Sequence, residues 1–257
     1  ESARTRTRPG NASPTASDVA VFDSTCVSNC SPFINANISV AGIVATSTYS
    51  GTITQGSTTT ITVGTSGWIH RVGTFNASSA AVTLNGGFTL SGGTWNGSAG
   101  AVTFNASSSI SGGTFNGGTA TTTYAVNFTI TGGTYNAASS TVFSGNNSNI
   151  DASASVTFEK LTVNKTGGQY LEIASGDTLI VADSLTLTDG YVRQGTIDLR
   201  GNATVNSAVD APASAVTIID FGNDAIAQTA TFNGGTAPMF RLDSASDSAD
   251  SFVINAT

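Results

Sequence analysis

The sequence is governed by a phrase that returns every 20 residues: Gly73-Thr74-Phe75-Asn76 recurs as Gly93-Thr94-Trp95-Asn96, Gly113-Thr114-Phe115-Asn116 and Gly133-Thr134-Tyr135-Asn136. A second phrase keeps the same period, Ala81-Val82-Thr83-Leu84 returning as Ala101-Val102-Thr103-Phe104 and Thr121-Thr122-Thr123-Tyr124. A third runs Phe88-Thr89-Leu90-Ser91, Ser108-Ser109-Ile110-Ser111, Phe128-Thr129-Ile130-Thr131. A fixed period of this size marks a solenoid, because one such unit cannot bury its own apolar face and must stack on its neighbours.

Within each unit apolar residues stand at every second position, separated by Gly, Asn and Ser, which is a strand pattern. Thr and Val are poor helix formers, and no window shows i, i+3, i+4 apolar spacing. The expected fold is therefore all-β, a parallel β-solenoid with about 20 residues and three short strands per coil. In that fold Phe75, Trp95, Phe115 and Tyr135 form one stacked core column, and Leu90, Ile110, Ile130 and Ile150 an aliphatic one. Asn76, Asn96, Asn116 and Asn136 fall at one corner, where each amide can bond the next copy.

The winding extends beyond the clear repeat. Ile61-Thr62-Val63 is read as one period before Ala81-Val82-Thr83, and Trp68 as one period before Phe88; His70 and Arg71 then stand where Leu90 and Ser91 stand a coil later. A lone His in this setting reads as a structural residue, having no carboxylate nearby to tune it. The expected organisation is an extended arm at 1–17 and one solenoid at 18–257, with regular coils over about 61–150 and irregular coils over 151–257.

Only 10% of residues are charged, against the usual quarter, and the formal net charge is −7. Thr, Ser and Asn ladders can solvate such a rod in place of charge. An acidic chain without a basic stripe is not expected to bind nucleic acid. No apolar run approaches the roughly 20 residues of a membrane span. The sequence opens at Glu1 and its only Met is Met239, so the expectation is a leader already removed and an extracellular or cell-surface location.

The arm differs from everything after it. Arg4, Thr5, Arg6, Thr7 and Arg8 alternate with period 2, so a strand made of them carries a cationic face and can add to an exposed sheet edge of a neighbour; the plain alternative is a solvated tail. Cys26 and Cys30 follow the first apolar run, with three residues between them. A zinc site needs about four ligands, and a thioredoxin-like pair has two intervening residues, so a disulfide pinning the first coil is the favoured reading.

From Ser24 to Ile150 there is not one Asp or Glu. Acid–base, metal-assisted and glycosidic chemistry rely on carboxylates or a partnered His. Asp177, Asp183 and Asp189 recur every six residues at apparent turns. That spacing is open to a calcium site or to the ordinary use of Asp in turns. No catalytic residue, cofactor or metal is assigned.

The Gly-Gly-Thr-aromatic-Asn corners and Ala-Val-Thr-aromatic strands, over about residues 40 to 165, resemble the low-charge β-helical repeats of bacterial surface proteins: filamentous-haemagglutinin-type adhesins and autotransporter passengers. The resemblance implies a secreted, right-handed parallel β-helix displayed at the cell surface. Pectate-lyase-like enzymes share that fold, but their clustered Asp, Arg and Lys have no counterpart in the clear repeat. The leading expectation is a structural subunit that polymerises head to tail through open solenoid edges, the arm docking on a neighbour. The alternatives are an adhesin for a surface glycan or protein and, third, a β-helix polysaccharide lyase or hydrolase using second-half carboxylates.

Overall fold

The computed structural model describes residues 14–25, 31–153, 155–212, 218–221, 228–236, 239–242 and 252–256. Among these, every regular element is a strand, and successive strands pair in parallel with the coil before and the coil after. The result is a β-solenoid of about 10 turns, about 21 residues per turn. No helix among the described residues is long and apolar enough to cross a membrane.

The regular coil has three straight segments. Val82–Leu84 makes the first, and Phe88–Asn96 makes the second and third, with a register shift at residues 91–93 where the chain turns a corner. Alternation then sorts the side chains. Val82, Leu84, Phe88, Leu90 and Trp95 point inward and are buried, while Thr83 and Thr89 between them are only partly covered. Outward threonines form their own ladder, Thr52 beside Thr74, then Thr94, Thr114 and Thr134.

The corner at residues 91–93 explains why glycine recurs there. Gly113 has φ +72, and a Cβ on it would stand 2.5 Å from the Gly93 carbonyl oxygen; a Cβ on Gly133 (φ +78) would stand 2.7 Å from the Gly113 oxygen. Successive coils touch backbone to backbone at this corner, an approach only glycine permits.

The register corrects the sequence reading in two places. Ile61 pairs with Val82, not with Ala81, because the corner between Val63 and Trp68 is one residue longer than its successor, while Trp68 does pair with Phe88. Ile150 pairs with Phe128, and it is Ala152 that continues the column of Leu90, Ile110 and Ile130. Tyr124 pairs with Phe143, 19 residues on, but Phe128 pairs with Ile150, 22 residues on, so three residues have been added at the corner between them. Of the three aspartates read at turns, Asp177 closes a turn from Ala174, Asp183 sits at the register shift inside Thr178–Asp189, and Asp189 ends that strand before Gly190.

The core changes character along the axis. Its first half is aromatic, with Trp68, Phe75, Phe88, Trp95, Phe104 and Phe115 fully buried, and its second half is aliphatic, with Leu161, Leu171, Leu179, Leu185, Leu187 and Leu199.

Candidate functional site

Three surfaces stand out: a ladder along one corner, the two ends, and one break in the stack. The ladder runs through Asn76, Asn96, Asn116 and Asn136. Each Nδ2 donates to the Oδ1 of the preceding copy, at 2.8, 2.7 and 2.7 Å. A second, shorter ladder has Asn105 donating to Asn85 at 2.8 Å. Identical amides in register satisfy one another, so this corner is polar without charge.

Beneath the first ladder lies the aromatic column. Ring centroids are 4.4 Å apart for Phe75 and Trp95, 6.1 Å for Trp95 and Phe115, and 5.4 Å for Phe115 and Tyr135, the last two pairs nearly parallel. Phe75, Trp95 and Phe115 are fully buried, but Tyr135 is only partly so. Its hydroxyl lies 3.3 Å from that of Tyr124. Burial pushes the Tyr135 phenol up to about 12 and holds Tyr124 well above the usual tyrosine range.

Tyr135 is only partly covered because the sheet breaks beside it. Residues 128–130 pair onward with Ile150 to Ala152, yet no ladder joins residues 134–136 to Val156–Lys165 in the following coil. A cleft of about 420 Å³ opens there, lined by Gly132, Gly133, Tyr135 and Asn136 on one lip and Ser153, Ser155, Val156 and Thr157 on the other. The sequence changes at the same place. Where three earlier coils have Ser91-Gly92-Gly93, Ser111-Gly112-Gly113 and Thr131-Gly132-Gly133, this coil has Ser153-Ala154-Ser155. Glycine-free corners keep their ladders later, as where Phe158 aligns with Val181 and Lys160 with Ser184, so the change marks the place of the break.

The break leaves backbone groups without strand partners. On this face outward residues bond to the preceding coil, as Thr94 N donates to Gly73 O at 2.8 Å and Thr196 N to Asp177 O at 3.0 Å. Inward residues serve the next coil, as Val181 O accepts from Arg200 N at 2.8 Å. By that alternation the N–H and C=O of inward Tyr135 and of outward Thr157 are directed into the cleft.

Among the described residues, the first and last coils are the least covered. Ile254 aligns with buried Ala230 but is 65% exposed. At the other end Ala20 and Phe22 align with buried Ile43 and Ala45 yet are only partly covered, as is Ile34. Phe33, on the outward side of the same coil, is 63% exposed.

The ionisable groups are mostly paired. Arg193 Nε donates to Glu172 Oε2 at 2.7 Å and its guanidinium lies 3.5 Å over the Tyr170 ring, Lys160 faces Asp183 at 3.4 Å, and Arg200 faces Asp198 at 3.1 Å. Asp177 Oδ2 accepts from Ala152 N at 2.7 Å, and Asp189 Oδ1 accepts from Gly190 N at 2.7 Å. Among the described residues no group of three or more His, Cys, Asp or Glu could hold a metal. Two further ionisable side chains are buried: Lys165, which sequence reasoning passed over, and His70, which it read as a structural residue. Lys165 donates to Ser144 O and Ser148 Oγ, both at 2.7 Å, and burial pulls it down to about 8. His70 bonds the Gly73 carbonyl through Nε2 at 3.2 Å and is held below its usual range by burial.

The arm residues Arg4, Thr5, Arg6, Thr7 and Arg8, and Cys26 and Cys30, lie outside the described residues. The cleft was not foreseen; its signal was the loss of Gly-Gly after Asp151. No family model matches this chain, and neither curated proteins nor solved structures show a significant match to it.

Proposed function

We propose that this chain is a structural subunit that stacks end to end into an extracellular filament. The observation that carries the reading is the pair of ends of the described fold: Ile254 at one, and Ala20, Phe22 and Ile34 at the other, lie on inward columns and have no full covering coil among the described residues. Apolar surface left open in this way is covered by another molecule in most settings. The two ends differ, so contact between them is heterologous, and such a contact repeats without closing. Strand edges at each end offer the backbone pairing to match. The low charge and the asparagine and threonine ladders suit a rod whose working surface is its ends. Catalysis has no part in this reading.

The test is sedimentation velocity over a concentration series for the full chain and for Ile254→Asp. The full chain is expected to grow with concentration and the variant to stay monomeric. Equal, concentration-independent sedimentation of both would overturn the reading.

An adhesin for a surface glycan is the second reading. It is favoured by the partly exposed Tyr170 and Tyr191 rings, 5.7 Å apart, beside Asn147, Asn149, Glu172 and Arg193. Aromatic faces bordered by planar polar groups suit a sugar ring. Binding on a glycan array that is lost in Tyr191→Ala would shift the weight to it.

A further inference from the structure

We propose that the outward face of the first straight segment is the side through which stacked filaments of this chain pack against one another. The inference rests on the end-to-end reading, because it needs filaments and not single rods.

One outward column keeps its residue through the winding. Before the break it is Thr62, Thr83, Thr103 and Thr123, each beside the next. After a single Val142 it resumes as Thr162, Thr186, Thr204 and Thr231. All of these are partly exposed. Threonine suits any outward strand position, yet the other two faces do not keep it. On the second straight segment Thr89, Ser109 and Thr129 lead to Asp151, and the column beside them reaches Glu172 and Arg193. On the third the threonine ladder stops at Thr134, and beyond the break that face carries Ile180, Asp198 and Asp220 beside Thr178 and Thr196. Strand preference acts on all three faces alike, so it does not account for one ladder that crosses the break.

Charge then selects what lies on this ladder. The chain carries a net charge of −7, and two copies meeting on the third face would bring Asp198 and Asp220 toward their counterparts. The threonine column holds no charge; Lys160 and Asp189 stand only at its margins, Lys160 3.4 Å from Asp183. It is the face along which an acidic chain can meet its own copy. Each threonine offers a methyl group and a hydroxyl that both donates and accepts, so the ladder is complementary to itself. Its spacing of about 4.8 Å per coil is the same in every copy, as in the dry interfaces between identical stacked strands.

Area sets when the contact holds. Eight ladder steps from Thr62 to Thr231 span about 38 Å, and three residues of straight segment about 10 Å, so one copy offers about 400 Å². A stable pair buries about 800 Å² on each partner. One rod is too small, but stacking that continues the winding lays the ladders end to end, and contacts along a filament reinforce one another.

The experiment compares three full-length chains by electron microscopy after filament growth. They are the parent, a face variant with Thr103→Glu and Thr186→Glu, and a control with Thr74→Glu and Thr114→Glu on the third segment's ladder. Thermal melting checks that each is folded, and Thr186→Glu alone repeats the test should the paired change unfold the chain. Side-by-side bundles are expected from the parent and the control, and single filaments with the parent's axial repeat from the face variant. Bundles in the face variant, or equal loss of bundles in the control, would overturn the face assignment. A folded face variant without filaments would place the ladder in stacking itself, against the proposal. Single filaments from the parent would overturn side-by-side packing and leave stacking standing; if they sediment with microcrystalline cellulose and the face variant does not, the ladder belongs to a flat polysaccharide instead. No filaments from any chain would sink both readings.

Discussion

The coils before the break and those after it wind the same solenoid by different means. From Val82 to Asn136 each coil repeats its predecessor, so like stacks on like: phenyl on indole, amide on amide, glycine corner on glycine corner. From Val156 onward unlike pairs enter the ladders, Glu172 beside Arg193 and Lys160 beside Ser184, among like ones such as Tyr170 beside Tyr191, over a core of Leu, Ile and Val. Repetition fixes register through identity and tolerates almost no charge, since like charges directly opposite repel. Variation admits complementary pairs and brings carboxylates back, even to facing positions, as Asp198 beside Asp220. The cleft lies where the one regime hands over to the other.

The largest contrast is in the core. Phe115→Ala removes a fully buried ring held between Trp95 and Tyr135 and should cost about 4 kcal/mol, while Leu187→Ala in the aliphatic half should cost about 3 kcal/mol. Urea denaturation measures both, and a smaller loss for Phe115→Ala than for Leu187→Ala would break the comparison.

Glycine sharpens it. Gly113 and Gly168 share φ near +70, but a Cβ at Gly113 meets the preceding coil and a Cβ at Gly168 meets nothing within 4 Å. Gly113→Ala should cost about 3 kcal/mol, strain and overpacking together, and Gly168→Ala about 1 kcal/mol from strain alone. Equal melting points for the two variants would mean that close coil contact is not what the corner glycines serve.

pH separates two buried groups that flank the handover. Lys165 titrates near 8 in the folded chain against 10.5 as the reference value, so the unfolded chain holds more protons in that window and stability rises with pH from about 8 toward 10.5. Tyr135, pushed up to about 12 from 10.0, acts oppositely: its contribution is complete below pH 10 and is lost as pH rises through 12. The melting temperature should therefore peak near pH 10. Lys165→Met should flatten the rising limb and Tyr135→Phe should weaken the falling one; a rising limb unchanged in Lys165→Met would remove Lys165 as its source.

The surface ladders should give the smallest effects. Asn116→Ala breaks two amide bonds and should cost about 2 kcal/mol, and Asn76→Ala, which breaks one, about half that. Glu172→Gln, at a partly exposed ion pair, should cost about 0.5 kcal/mol and less in high salt. Chemical denaturation at two salt concentrations orders the three, and a charge pair that outweighs the amide ladder would reverse the expected contrast.

The solenoid was legible because its cause is local and repeated. Alternation gave the strands and the 20-residue period gave their stacking. What escaped was anything set by corner length. The extra residue before Trp68 moved Ile61 onto Val82, and the longer corner before Ile150 set that residue under Phe128. Corners vary in length while the straight segments keep their alternation, so counting along the chain fails where the pattern itself still holds. The buried Lys165 escaped because its flanking residues read as an ordinary polar strand end, and only the stack shows that Ser144 and Ser148 meet it. The cleft coincides with the change from Gly-Gly to Ala-Ser and with the longer corner before Ile150, a coincidence that only the stacked register reveals.

The most direct measurement is electron microscopy of the full chain across a concentration series, with the axial repeat taken from averaged images. About ten turns at ~4.8 Å each predict filaments with a repeat of about 48 Å along the axis. Isolated short rods at every concentration would contradict end-to-end stacking.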